Sequence, residues 1–380
     1  MITRQQFEQL AGNETRPCVT MYSPTHDAGA EAKGDPIRLK NLLQDAERQL
    51  GELGVPKSEA GRLVAPGWDT HSELSPAMYG SGTLAIYCAA DLTVIEHIRL
   101  QLDELVLVGE RFHLKPIIPI VSGRARFYVL AVSQKKVRLL DCTRFVARDV
   151  ELANVPRSLE DALGKAKPDE GVQYHTTPAA RSGNGRAMYH GHGAGQDDRQ
   201  GELFRYFRLV SQGIAPLLDG RSPLVFAGVE HLFPIYRQAN TYANLLDKAI
   251  TGSPDNARPA ELRDRGWAIV EPIQQEVRMA TAERFPELAA HGRATDDIVG
   301  VALSARNGLV DVMLGASDQS RWGRVSDTED KVQQRAERLP GDYDLVDYAA
   351  VRTLMQGGTS YIVPAEEVPG EGPAAALLRY

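Results

Sequence analysis

The sequence predicts a multidomain protein that mixes α/β and α+β units. Three observations predict it. The chain has 380 residues, about two or three domains at the ordinary 100–200 residues each. Short β-branched or aromatic runs alternate with stretches whose apolar residues recur at helical spacing. Hydrophobic residues make up 43% and charged residues 24%, the mix of a globular chain, which excludes a disordered, collagen-like or mainly coiled-coil protein.

The first segment, expected over 1–110, reads as α+β. Residues 1–10 have the pattern of a short helix. Residues 17–22 are β-branched and aromatic and read as a strand. Gly34-Asp35-Pro36 looks like a helix start, followed by Ile37, Leu39, Leu42, Leu43, Ala46 and Leu50 on one face. Residues 83–89 and 92–97 form a strand pair around Ala90-Asp91. The second segment, 111–251, opens with strands at 126–132 and 136–141 and a third at 148–152. Leu203, Phe207, Val210, Ile214 and Leu217 give the apolar face of a covering helix. Residues 224–228 read as a buried strand and 233–246 as a helix. The third segment, 252–380, alternates helices (260–287, 294–306, 344–355) with strands (309–314, 359–363, 375–378), an α/β order.

Charge and cysteine usage exclude several classes. The formal net charge is −7, so any nucleic-acid contact must come from a local basic patch. Cys18, Cys88 and Cys142 form no CxxC pair and read as buried thiols. No apolar run approaches the roughly 20 residues of a membrane span, and the start of the chain lacks the apolar core of a signal peptide. The expectation is a soluble, cytoplasmic protein without a membrane partner.

The most informative stretch is 168–200, poor in large apolar residues and rich in glycine and histidine. Structureless loops of this length are uncommon in compact domains unless they are functional or disordered. Its end reads Tyr189-His190-Gly191-His192-Gly193-Ala194-Gly195-Gln196-Asp197-Asp198-Arg199-Gln200. Glycines at alternate positions let the backbone approach another molecule closely, and Gln196 offers an amide with two donors and an acceptor. Such a tip suits hydrogen bonding at a reacting ester and its attacking water; it contains no general base in Gly or Gln. Four readings stand side by side: a surface loop without a role, a phosphate cradle before a helix, a metal site from His190, His192, Asp197 and Asp198, and a pliant loop that reaches into a partner.

The string His190-Gly191-His192-Gly193-Ala194-Gly195-Gln196, leading into an Arg- and aromatic-rich helix, resembles the peptidyl-tRNA hydrolysis loop of archaeo-eukaryotic class I release factors. Further strings extend the resemblance to bacterial proteins of that type and to the superfamily that includes Pelota: Tyr22-Ser23-Pro24-Thr25-His26, Asp35-Pro36-Ile37-Arg38-Leu39-Lys40-Asn41-Leu42-Leu43, Arg111-Phe112-His113-Leu114-Lys115-Pro116, Ala227-Gly228-Val229-Glu230 and Gly357-Gly358-Thr359. The resemblance implies three domains: an N-terminal decoding-side domain, a ribonuclease-H-like middle domain and a C-terminal α/β domain like kink-turn-binding ribosomal proteins. It implies Gly195 and Gln196 as the catalytic pair and His190, Gly191, His192 and Gly193 as RNA contacts; Arg199, Arg205 and Arg208, expected on the exposed side of the helix that begins near Gln200, read either as contacts to RNA phosphates or as a solvated helix face. It also implies the ribosome (rRNA and peptidyl-tRNA) as partner, with a translational GTPase beside it. No cofactor and no metal are expected.

The sequence departs from the family pattern in two places. Ala194 stands where the family tripeptide has its first glycine, and two aspartates follow Gln196. No Asn-Ile-Lys-Ser string is present in the N-terminal segment, so stop-codon reading is not expected. Release or rescue of stalled ribosomes is the first functional expectation. A non-catalytic hibernation or A-site-binding factor is the second, and a metal-dependent hydrolase or nuclease the third.

Other polar residues have bland readings. Tyr206 is expected to pack rather than stack on a base. His113 with Lys115 reads as a hinge or interface contact, His26 with Asp27 as turn chemistry, Glu230-His231 as a strand end, Cys142 as structural, and Trp322 as buried.

Overall fold

A computed structural model describes residues 2–27, 29–73, 80–122, 126–164, 194–326 and 328–380, with the backbone alone at 30 and 194–198. In chain order the N-terminal elements are α1 (Arg4–Ala11), β1 (Cys18–Thr25), α2 (Ala30–Glu52), α3 (Lys57–Glu73), β2 (Gly82–Cys88), β3 (Thr93–Ile98), β4 (Leu105–Gly109), a 3₁₀ turn at Lys115–Ile117 and α4 (Ile118–Val121). The middle elements are β5 (Phe127–Val132), β6 (Val137–Cys142), β7 (Ala147–Val150), α5 (Leu159–Gly164), α6 (Ala194–Ile214), β8 (Leu224–Gly228), α7 (Leu232–Ala239), β9 (Ile250–Thr251) and α8 (Pro259–Glu283). The C-terminal elements are α9 (Phe285–Ala290), β10 (Ala294–Thr295), α10 (Ile298–Arg306), β11 (Val310–Ala316), β12 (Trp322–Val325), β13 (Val332–Arg335), β14 (Tyr343–Asp344), α11 (Leu345–Met355), β15 (Thr359–Val363) and β16 (Ala374–Leu378). The fold is mixed α/β and α+β, as the sequence predicts.

The chain divides into two compact units, Met1–Ala125 with Gln274–Tyr380, and Arg126–Ile273. In the first, β3-β2-β1-β4 form an antiparallel sheet. Its side chains alternate between faces, as the strand period requires. Val19, Met21, Leu84 and Ile86 pack with Leu39, Leu42, Leu43 and Leu63 of α2 and α3. On the opposite face, Tyr22, Ala85 and Tyr87 share one core with Ile298, Val301, Leu345, Val346 and Ala349 from the C-terminal segment. That segment carries a second sheet, β10-β16-β11-β15, with β15 parallel to β11, and a small third sheet, β13-β12-β14.

The second unit is a five-stranded sheet ordered β7-β6-β5-β8-β9. The first three strands are an antiparallel meander, and β8 and β9 add in parallel. This is the strand order of a ribonuclease-H-like domain. Tyr128, Leu130 and Val132 face α6 and α7, while Phe127, Val129 and Ala131 face α8. The contact with α8 is close: a Cβ at Gly266 would lie 2.7 Å from Phe127 Cε2.

Several boundaries differ from expectation. α2 starts before Gly34-Asp35-Pro36 and runs through Pro36. Asp35 is buried, so the motif that looks like a start is an inward anchor inside the helix. Ile37, expected on the apolar face, is 63% exposed. The helix expected over 233–246 ends at Ala239. There the Asn240 side chain bonds both the N–H and the carbonyl of Tyr242, an Asx-type turn that competes with helix continuation. Leu217 lies in a 3₁₀ turn after α6 and is exposed. No helix among the described residues is long and apolar enough to cross a membrane.

Candidate functional site

The site predicted from sequence sits at and before the start of α6. Leu203, Tyr206, Phe207, Val210 and Ile214 are buried in the core of the second unit at helical spacing. Phe207 meets Phe226 and Tyr236 edge-on at 6.3 and 5.6 Å, and the Tyr206 hydroxyl donates to Ser133 O at 3.0 Å. Tyr206 therefore packs rather than offering a stacking surface. Further along, a Cβ at Gly213 would come within 2.7 Å of Asn154 O and Val155 Cγ2, so glycine permits the close seat of the helix.

The helix begins at Ala194, whereas the sequence suggests a loop as far as Gln200. Gly195 and Gln196 thus occupy the first turn of α6. Nine residues separate Ala194 from Leu203, the first buried side chain described on this helix, a rise of roughly 14 Å. The glycine-glutamine turn is therefore carried on a helix anchored well behind it. His190, Gly191, His192 and Gly193 lie outside the described residues, as do the side chains of Asp197 and Asp198.

Arg199, Arg205 and Arg208 are all exposed. Arg205 and Arg208 are one turn apart on the face of α6 opposite the core. Arg199 lies on the side of the buried residues, ahead of the point where they begin. The helix thus brings two of the three guanidinium groups to one face, next to half-exposed Phe204 and Leu209.

The remaining polar candidates take structural roles. The Asp35 carboxylate accepts from the His26 backbone N–H, from His26 Nδ1 and from Arg38 Nη1, each at 2.8 Å. His26 is thereby tied to α2. Glu230 and His231 are exposed where β8 ends. Trp322 is half-buried, with the Arg338 guanidinium over its ring at 5.5 Å. Burial pushes the Cys18 thiol up to about 11 and those of Cys88 and Cys142 up to about 12. All three are free and buried, and the thiolate is the reactive form. Native protein is expected to react with a thiol reagent only as fast as it unfolds, and all three cysteines should react at once in denaturant; a fast native phase would contradict the burial.

His113 and Lys115, with Asp344 and Asp347, form a buried group of ionisable side chains. Lys115 Nζ lies 2.8 Å from Asp344 Oδ2, and Asp347 Oδ1 accepts the Leu114 N–H at 2.7 Å. The sequence alone gives no hint of this, because Asp344 and Asp347 read as the cap and first turn of a helix and their partners lie more than 200 residues away. Among the described residues, no group of three or more His, Cys, Asp or Glu is placed to hold a metal ion.

Residues 127–272 match the model of the bacterial archaeo-eukaryotic release factor family 7. The second unit is therefore a domain of the bacterial archaeo-eukaryotic release-factor type, as the sequence strings imply. No curated protein sequence matches the chain. Among solved structures, it aligns with an archaeal translation termination factor, aRF1, at 11% identity over 100% of this chain and 99% of that one, with a TM-score of 0.26. Ribosome-bound archaeal Pelota aligns at 11% identity over 99% and 94%, TM-score 0.40. Dom34 of S. cerevisiae, a translation termination-like factor interacting with Hbs1, aligns at 10% over 80% and 74%, TM-score 0.30.

Proposed function

We propose that this chain, whose middle domain is of the bacterial archaeo-eukaryotic release-factor type, acts at the ribosome to release the peptide from peptidyl-tRNA on stalled complexes. The observation that carries the proposal is the family match over 127–272, which encloses a helix whose first turn holds Gly195 and Gln196. In this reading Gly195 and Gln196 present amide donors to the ester and orient a water, with rRNA completing the site and no protein general base. His190, Gly191, His192, Gly193 and Arg199 contact RNA beside them. We further propose a translational GTPase as a second partner, and a cytoplasmic location.

The test is release of labelled peptide from purified bacterial ribosomes stalled with peptidyl-tRNA. The wild-type chain is expected to accelerate release, and Gln196→Ala to lower the rate by about 10²–10³, the usual effect of removing one placed donor. Ribosome binding with release unaffected by Gln196→Ala would remove the catalytic role and leave an occupant of the A site. Absence of co-sedimentation with ribosomes would remove the translational reading altogether.

The outer face of α6 gives a second measurement. Reversing both charges, Arg205→Glu with Arg208→Glu, is expected to weaken co-sedimentation with ribosomes and to flatten its dependence on salt, each lost phosphate contact lowering the log–log slope by about one. Both side chains are exposed, so the thermal transition should not move. An unchanged slope would assign this face to solvent.

A further inference from the structure

The buried polar group of the first unit has no part in the proposed release chemistry, and its inventory of charges does not balance as it stands. Lys115 Nζ is committed to Asp344 Oδ2 and to Gln319 O, at 2.8 and 2.6 Å. Asp344 completes its set with the N–H groups of Arg321 and Val346, each at 3.0 Å, and the Ser320 hydroxyl at 3.1 Å. One ammonium and one carboxylate are thus matched. Asp347, one turn along α11, is a second buried carboxyl. Its Oδ1 receives the N–H of Leu114 at 2.7 Å and that of Lys115, and His113 Nδ1 lies 3.7 Å away.

Among the described residues, Asp347 has its ion-pair contact within 4.0 Å with His113. Tyr22 from β1 donates to His113 O at 2.7 Å and pairs with the Tyr87 hydroxyl of β2 at 2.8 Å. Arg338 is turned to Gln49 Oε1 and Val108 O. Arg111 and Arg352 line a cleft of about 20 Å³ with Asp347, and Arg111 lies over the rings of Tyr343 and Tyr348. A second carboxylate buried beside Asp344 without its own cation is costly. One more proton relieves it, and the imidazole and the carboxyl are the two groups positioned to carry that proton.

We propose that His113 and Asp347 act as a single proton-holding pair that latches residues 113–115 onto α11, and that folding moves this proton from the imidazole nitrogen to the Asp347 carboxyl oxygen. The number of protons is conserved: the imidazolium of the unfolded chain becomes neutral as the carboxylate becomes a carboxylic acid. Burial, reinforced by the Asp344 charge, pushes Asp347 up to about 7. Burial drives His113 down to about 4, overriding Asp344, while Lys115 and Arg338 disfavour its charged form. In the unfolded chain the order is reversed, the imidazole near 6.5 and the carboxyl near 3.9.

The signs follow from linkage. Asp347 alone, with its folded value raised, contributes stability that is lost as pH rises from about 4 to 7. His113 alone, with its folded value lowered, contributes stability that is lost as pH falls from about 6.5 to 4. The two windows overlap, so in the intact pair the slopes offset one another.

The experiment is thermal and denaturant unfolding of the full chain between pH 4.5 and 7.5, for wild type, His113→Gln and Asp347→Asn. Relative to wild type, His113→Gln is expected to lose stability as pH rises, and Asp347→Asn to lose it as pH falls. Each change in the folding constant should be roughly tenfold to a hundredfold across the window. Parallel profiles for all three proteins, or slopes of the same sign in the two variants, would overturn the proposal. If either variant fails to fold, selectively labelled wild type decides: the Asp347 carboxyl carbon is expected to titrate near neutrality while the His113 ring does not, and a carboxyl titrating in the ordinary range near 4 would refute the pair.

Discussion

Replacing Lys115 with alanine is expected to destabilise the unit formed by the N- and C-terminal segments by about 3–5 kcal/mol, the usual result of breaking a buried ion pair from one side. The size follows from what remains. Lys115 is 3% and Asp344 1% exposed, so the Asp344 carboxylate would keep its three short neutral donors but lose its ammonium. Asp344 is also the cap of α11, accepting from the Val346 N–H, and cannot turn to water without uncapping the helix. The distinguishing measurement is the double variant Lys115→Ala with Asp344→Asn. Asparagine caps a helix about as well as aspartate and leaves no charge, so most of the loss should be recovered in chemical denaturation. A double variant no more stable than Lys115→Ala would show that the lysine stem, rather than its charge, matters.

Phe207→Ala is expected to cost the second unit about 3–5 kcal/mol. Phe207 is fully buried and touches the rings of Tyr206, Phe226 and Tyr236, so truncation opens a cavity at the point where α6 is held to the sheet. A chain with two compact units need not unfold in one step, and calorimetry should show the transition of the second unit falling while that of the first stays in place. Under the proposed function, the same variant should impair peptide release well beyond its effect on ribosome binding, because Phe207 is among the core residues that hold α6 behind its first turn. Equal movement of both transitions would contradict the division into units.

The face of α6 was legible because its apolar residues recur at one period and nothing competes with it. The meander of β5 to β7 was legible for the same kind of reason, short β-branched runs separated by polar turns. α3 was not, since Gly61, Pro66 and Gly67 sit inside it and read as breakers; Gly67 is buried, and a Cβ there would meet Leu43 Cδ2 at 2.5 Å. β4 and the small sheet were missed as well: β13, Val-Gln-Gln-Arg, has no alternation to detect. In the candidate site, the glycine-glutamine turn was legible as a motif, while its place on a helix was not. The buried pair of His113 and Asp347 was invisible, because sequence proximity carries no trace of a contact made across 233 positions, the separation of Leu114 from Asp347.

Tyr22, Tyr87 and Phe112 share their core with Ile298, Val301, Leu345 and Ala349, so the segments on either side of the middle unit complete one another. During synthesis the segment before the middle unit must wait, one apolar face uncovered, until the partners from Ile298 onward have left the exit tunnel. The intervening unit has every strand and helix of its core in hand long before that and can fold first. A nascent chain cut short anywhere in the final segment would therefore display an intact middle module joined to a sticky, unfinished partner, which quality-control proteases and chaperones recognise by its bare hydrocarbon surface.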